Sequence, residues 1–169
     1  EDPVRLYLRE IGQVKLLDSD SEFRLATMIE ANRLVNVLRR HPPRKGLTVP
    51  CAICHAVLAE METSWGRLLE DADRLHHDIP DLGLMLTEAQ ALRAGWDSHA
   101  PSYLRAFLDN GKWGSDPLWD DFARKSYSVF LSLYLIPFNY AAWLLGLINQ
   151  KHELPSLRTM HNHLPGDDE

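Results

Sequence analysis

The longest run without a charged side chain, residues 126–150, constrains the fold more than any other feature of the sequence. A single helix of that length would cross a hydrocarbon layer of about 30 Å. Pro137 splits the run near its middle, however, and proline lacks the N–H group that a continuing helix needs. Asn139 and several serines also lie inside the run. We therefore expect two buried helices that meet at Pro137, and not a membrane span.

Helical signals cover most of the remaining chain. Apolar residues recur at three- and four-residue spacing, and no stretch alternates convincingly with period two. Thr48 before Pro50, and Asp116 before Pro117, are typical of helix starts, and Thr87 predicts the cap of a shorter helix. The predicted helices cover residues 50–77, 87–94, 101–108, 117–135 and 138–149. The predicted fold class is all-α.

The first thirty residues predict a helix–loop–helix. Asp2 followed by Pro3 indicates a helix start, and Gly12 indicates the end of that helix. Ser19 and Glu22 then have the spacing of a capping box, which opens a second helix that continues to about residue 40. The first helix has one apolar stripe, formed by Val4, Tyr7, Leu8 and Ile11. We expect an irregular helical bundle after this helix–loop–helix.

These residues resemble region 1.2 of the primary (housekeeping) sigma factors of bacteria. The resemblance lies in residues 2–12, DPVRLYLREIG, in Leu16-Leu17 and Glu22, and in residues 26–30. The chain beyond this segment is similar to the variable, non-conserved region of such factors, and the later helices that bind the minus-ten element are absent. We therefore expect a fragment with three parts: a helix–loop–helix (1–40), a helical insert packed on it (41–155) and a weakly ordered tail (156–169).

The resemblance implies a role in transcription initiation, in which the factor directs RNA polymerase to promoters. It implies that the helix–loop–helix contacts the single-stranded discriminator of the non-template strand through Arg5, Tyr7, Leu8 and Arg9. Arginine pairs with phosphate or stacks, and Tyr and Leu offer faces to an unstacked base. The family also implies that the insert contacts the clamp of core RNA polymerase. The alternative is a protein-interaction module that acts only by docking on that clamp.

Charge is distributed unevenly along the chain. The net charge of −6 opposes strong non-specific DNA binding. Residues 1–45 carry +2, whereas residues 46–169 carry −8, so only the first part is predicted to face DNA. Arginines and a lysine make the junction after residue 32 basic. This junction suits a solvated helix end, or a contact with DNA backbone or an acidic polymerase surface.

Cys51, Cys54 and His55 match the CxxCH pattern of c-type haem attachment. Haem attachment occurs in export compartments, and the sequence shows no export signal. A zinc site would combine these residues with His76 or His77, but two thiolates at this spacing form only half a site. We therefore expect the two cysteines to be simple core residues, and we predict no cofactor and no bound metal.

Catalytic patterns are not visible in the sequence. The eight histidines are dispersed, and adjacent acids such as Asp120 and Asp121 point in different directions on a helix. There is no GxSxG, HExxH or phosphate-binding glycine loop. We expect a protein that is not an enzyme. Two cysteines and no visible signal sequence predict a reducing compartment, the bacterial cytoplasm with its nucleoid.

Overall fold

The computed structural model describes residues 3–4, 19–41, 46, 48–95, 100–112 and 114–165. Within these residues the chain forms seven helices and no strand, which confirms the all-α prediction. The helices are α1 (Ser19–Arg39), α2 (Val49–Leu75), α3 (Leu82–Ala94), α4 (Tyr103–Leu108), α5 (Pro117–Leu135), α6 (Phe138–Lys151) and α7 (Leu157–Asn162). The expected division at residues 40 and 41 falls just after α1 and stays a prediction.

Two long helices, α2 and α5, form the centre of the core. α1 and α3 pack against α5, α3 also contacts α6, and α7 contacts α2. One ion pair lies in the central interface, where Lys125 Nζ is 2.5 Å from Asp71 Oδ2. The largest fully buried side chains of α2 and α5 are Leu58, Met61, Leu68, Trp119, Phe122, Phe130 and Leu133. Truncating one such side chain to alanine costs about 2–5 kcal/mol.

Side-chain caps fix where most helices begin. The hydroxyl of Thr48 accepts from the backbone N–H of Cys51, and the carboxylate of Asp116 accepts from that of Leu118, so both predicted starts are confirmed. The prediction that Thr87 caps a helix was wrong. α3 begins five residues earlier, at Leu82, because Asp81 supplies the cap.

Pro137 leaves carbonyl groups at the end of α5 without a backbone donor, and side chains that are distant in the sequence donate hydrogen bonds to them. The carbonyl of Leu133 would normally accept from the N–H of residue 137, which proline lacks. Instead, Gln90 Nε2 donates to Leu133 O at 2.7 Å. Arg93 Nη1 donates to the next three carbonyls, of residues 134–136, at 3.2, 2.8 and 2.6 Å. α3 therefore stabilises the end of α5.

The uncharged run of residues 126–150 forms the end of α5 and nearly all of α6. Its buried members confirm the prediction of two buried helices that meet at Pro137: Ser126, Val129, Phe130, Ser132, Leu133, Ile136, Tyr140, Ala141, Leu144 and Ile148. Phe138, in contrast, is 69% exposed at the start of α6. Among the described residues, no helix combines the length and the apolar character that a membrane span requires.

Residues 156–165 differ from the weakly ordered tail that we expected. Ser156 caps α7, and Met160 is fully buried in the core. The hydroxyl of Tyr140 donates to Met160 O at 2.6 Å, and the ring of His163 stacks on Trp143 at 3.7 Å between centroids. The prolines at 155 and 165 and the glycine at 166 indicated weak order, whereas the burial of Met160 attaches this segment to the core.

Candidate nucleic-acid interface

α1 is attached to the bundle through residues 21–31. The buried residues of this segment share one face and include two polar side chains that bond to backbone groups. Thr27 Oγ1 donates to Phe23 O at 2.9 Å, and the Arg24 guanidinium donates to the carbonyl of Ala100. The full set of buried residues is Ser21, Arg24, Leu25, Thr27 and Ala31. This face fixes the direction of α1 relative to the bundle.

Phe23 provides the aromatic contact between α1 and α5. Its ring lies 5.7 Å from the ring of Tyr127, edge to face, and 5.4 Å from that of Phe130. Aromatic pairs at such distances contribute about 0.5–1.5 kcal/mol beyond the burial of their area. The two ring contacts therefore anchor α1 at the middle of α5.

Asp20 forms polar contacts between α1 and the start of α4. Its Oδ1 atom is 2.5 Å from Arg105 Nε and accepts from the backbone N–H of Ser102 at 3.1 Å. The hydrogen bond from Arg105 is the largest influence on this carboxyl group, and it lowers the pKa of Asp20 below the usual 3.8. The carboxylate is therefore charged at neutral pH and holds two elements together.

A groove of about 450 Å³ lies where α1, α4 and α5 meet. Its apolar side chains include Phe23, Leu108 and Tyr127, and two arginines, Arg105 and Arg124, also line it. Ser19, the first residue of α1, borders the groove. Asp109 also lines the groove, and both arginines lie within 4 Å of a carboxylate, so their charge is already partly neutralised.

The four residues predicted to contact DNA, Arg5, Tyr7, Leu8 and Arg9, lie outside the described residues. Of the predicted first helix the structure describes Pro3 and Val4, which have helical backbone. The DNA-binding role of the four residues stays a prediction. The sequence alone did not predict the contacts that hold α1. Asp20 was the one indication, because an acidic side chain in the first turn of a helix interacts favourably with the helix dipole.

Cys51 and Cys54 are half-buried and form no disulfide; they line a cleft of about 470 Å³, and they are not fully buried core residues as we expected. Burial raises the pKa of the Cys54 thiol. The ring of His55 faces that of His161, with centroids 4.3 Å apart. His76 lies 22 residues beyond Cys54, about 33 Å along the same helix. Within the described residues no cluster of three or more His, Cys, Asp or Glu side chains could hold a metal ion.

Comparison with known proteins gives one match. Residues 2–34 match the family model described as Sigma-70 factor, region 1.2. No curated protein and no solved structure matches the chain. The matched segment ends inside α1 and includes Asp20 and Phe23, which hold it to the insert. Sigma-70 factors are non-enzymatic proteins of transcription initiation that bind RNA polymerase core and promoter DNA. The match supports a sigma-70 family origin for residues 2–34, without indicating the primary type.

Proposed function

We propose that this chain is part of a bacterial primary sigma factor. In this proposal residues 2–34 contact the discriminator of the non-template strand, and the helical insert contacts core RNA polymerase. The observation that carries the proposal is the match of residues 2–34 to sigma-70 region 1.2. The protein acts in the cytoplasm, at the nucleoid, and performs no catalysis of its own.

The attachment of α1 supports this division of roles. Asp20 and Phe23 lie in the matched segment, and their partners Arg105, Tyr127 and Phe130 lie in the insert. A polymerase surface that holds the insert would therefore also orient the start of α1. Once the insert is bound to polymerase, the matched segment is held near the DNA, so its contact with DNA costs less entropy than an independent binding event would.

Arg5, Tyr7, Leu8 and Arg9 are the residues that we propose for the DNA contact. Their chemistry supports recognition of a single strand, because guanidinium groups pair with phosphates and Tyr and Leu pack on unstacked bases. The net charge of −6 lowers the DNA affinity that these residues can provide without polymerase. We therefore expect weak binding by the chain alone and tighter binding in the presence of core polymerase.

Fluorescence anisotropy with a labelled single-stranded discriminator oligonucleotide tests this proposal. The chain is titrated alone and together with core RNA polymerase at moderate salt. Arg5→Ala with Arg9→Ala should weaken binding in the presence of polymerase, whereas the control pair Arg67→Ala with Arg158→Ala should not. Arg67 and Arg158 are exposed arginines of α2 and α7. Sub-micromolar affinity of the chain alone would contradict the charge argument, and equal effects of the two pairs would contradict the assignment of the contact.

A second candidate function is docking on the polymerase clamp without a DNA contact. The acidic character of residues 46–169, with a net charge of −8, favours it because such a surface suits a basic protein partner. A pull-down with core polymerase separates the two functions. Retention on polymerase combined with no oligonucleotide binding under any condition would favour the docking function.

A further inference from the structure

The two cysteines of the chain lie one turn apart on the same helix and border the same cleft. Cys51 and Cys54 are the only cysteines of the sequence, and both fall in the first two turns of α2. Each is half-buried, and together they line the cleft of about 470 Å³. Ligand sites in proteins have volumes of about 300–1,000 Å³, so a small molecule has room to reach this pair.

The spacing of the two cysteines brings them close to the geometry of a disulfide. Residues three apart in an α-helix have Cα atoms separated by about 5 Å, and disulfides form over Cα separations of about 4.4–6.8 Å. The Cβ atoms of such a pair are about 5–6 Å apart, whereas a disulfide needs about 3.5–4.5 Å. Closure of the bond therefore requires the first turn of α2 to move by about 1–2 Å.

The first turn of α2 is held by contacts that allow such a movement. Pro50 has no N–H group to donate, and Val49 is 42% exposed. The backbone N–H of Cys51 donates to the hydroxyl of Thr48 at 3.3 Å, which is longer than the usual range of about 2.7–3.2 Å. The first backbone bond of the helix runs from Ala52 N to Thr48 O at 2.9 Å. The cap from Thr48 is therefore the contact that closure of a disulfide would disturb first.

The two thiols have different surroundings. Burial raises the pKa of the Cys54 thiol; negative charge on Cys51 raises it further, and the Arg93 guanidinium opposes this increase. Cys51 lies in the first turn of α2, which contains no acid, and the positive end of a helix dipole stabilises negative charge such as that of a thiolate. We therefore expect Cys51 to be the attacking sulfur and Cys54 to be the resolving sulfur.

We propose that Cys51 and Cys54 form a reversible modification site, which exchanges with small disulfides such as oxidised glutathione. In the first step the Cys51 thiolate attacks one sulfur of the small disulfide, and one glutathione leaves with the proton that Cys51 gave up. In the second step the Cys54 sulfur attacks the Cys51 sulfur, and the Cys54 proton passes to the second departing glutathione. The two cysteines are oxidised to one disulfide, and the small disulfide is reduced to two thiols. Excess reduced glutathione reverses both steps, as is typical of transient disulfides in a reducing compartment.

Incubation of the full chain with mixtures of reduced and oxidised glutathione tests the proposal. The reaction is stopped with acid, the remaining thiols are alkylated with N-ethylmaleimide under denaturing conditions, and the mass of the intact chain is measured. Because the chain has two cysteines, the dithiol form gains two maleimides and the disulfide form gains none. Cys54→Ser should keep one glutathione on Cys51, since the resolving sulfur is absent, and Cys51→Ser should acquire glutathione more slowly.

Two variants of the cap test the movement of the first turn. Thr48→Ala removes the acceptor of the Cys51 N–H, so closure no longer has to disturb that bond. At a fixed glutathione mixture the ratio of disulfide to dithiol should rise by about fivefold, which corresponds to the loss of a typical N-cap. Thr48→Ser keeps the hydroxyl and should match the wild type. Equal ratios in Thr48→Ala and Thr48→Ser would contradict the movement of the first turn.

Three results would overturn the proposal. The first is a native chain that still gains two maleimides in excess oxidised glutathione. The second is a product that consists of disulfide-linked dimers on a non-reducing gel, or of chains with two glutathiones, since neither contains the internal bond. The third is oxidation in urea with none in the native chain, which would show that the cleft does not admit the small disulfide. Because the measurement needs neither DNA nor polymerase, its outcome is independent of the proposed function.

Discussion

Replacing Asp20 by alanine is expected to loosen α1 from the insert. Asp20 Oδ1 is 2.5 Å from Arg105 Nε and 3.1 Å from the backbone nitrogen of Ser102. The alanine variant removes both contacts and leaves the N–H of Ser102, a residue that is 1% exposed, without its acceptor. The variant therefore tests the polar attachment of the matched segment to the rest of the chain.

The magnitude follows from the two contacts. The side chains of Asp20 and Arg105 are 21% and 31% exposed, so solvent screens their attraction and the pair contributes about 1 kcal/mol. An orphaned buried N–H costs about 1–3 kcal/mol. We expect Asp20→Ala to lower the free energy of unfolding by about 2–4 kcal/mol. In a protein of this size each kcal/mol corresponds to about 2–4 °C in Tm. Asp20→Asn keeps an acceptor for Ser102 and should cost about 1 kcal/mol.

Thermal unfolding measured by circular dichroism gives these changes, and amide hydrogen exchange shows whether α1 is the element that opens. Asp121→Ala is the control, because Asp121 is an exposed acid of α5 whose nearest cation, Arg124, is 3.6 Å away. A weak exposed pair of this kind contributes less than about 1 kcal/mol. Equal Tm shifts in Asp20→Ala and Asp121→Ala, or unchanged exchange in α1, would refute the reasoning.

The stability difference should also depend on pH with a defined sign. Hydrogen bonding to Arg105 lowers the pKa of Asp20 below 3.8 in the folded state. A carboxyl group with a lowered pKa stabilises the fold above its unfolded pKa, and this contribution is lost as the pH falls through the folded pKa. The gap between wild type and Asp20→Asn should therefore be full at neutral pH and close below pH 3.8. A gap that does not change with pH would contradict the charged contact.

Two further predictions concern the core and the proposed DNA contact. Gln90→Met should lower the free energy of unfolding in urea by about 1–3 kcal/mol, because the carbonyl of Leu133 loses its donor, whereas the exposed control Gln150→Met should have no effect. Leu8→Ala should leave Tm nearly unchanged and weaken complexes of the complete factor on promoters with a purine-rich discriminator by about 1–3 kcal/mol, measured as open-complex lifetime on two discriminator sequences. A large fall in Tm with no promoter dependence would instead indicate that Leu8 is a core residue.

Local signals in the sequence were sufficient for most of the helices. Thr48, Asp116 and Pro137 act on backbone groups within four residues, so their effect can be recognised from the sequence alone. The error at Thr87 has the same local origin. Thr and Asp are both common N-cap residues, and we predicted Thr87 as the cap. In the structure Asp81 is the cap, and the Thr87 hydroxyl donates to Gly83 O inside the helix.

Contacts between distant residues could not be predicted in the same way. Asp20 and Arg105 are 85 residues apart, and Gln90 lies 43 residues before Leu133. Periodicity indicates which face of a helix is buried, but it does not indicate which polar side chain of another helix completes a broken hydrogen-bond pattern. The family match likewise identified residues 2–34 without the contacts that hold them to the rest of the chain. Those contacts join residues that are distant in the sequence and come together only in the folded chain.

The two halves of α1 are held to the bundle differently. Phe23 and Asp20 hold the first half, whereas none of residues 32–39 is fully buried and Leu38 packs only partly against the core. A continuous helix transmits the position of its fixed half to its other end, so the insert determines where the last turn of α1 lies. Asp20→Ala, which loosens the first half, should therefore also raise the amide hydrogen exchange of the last turn of α1.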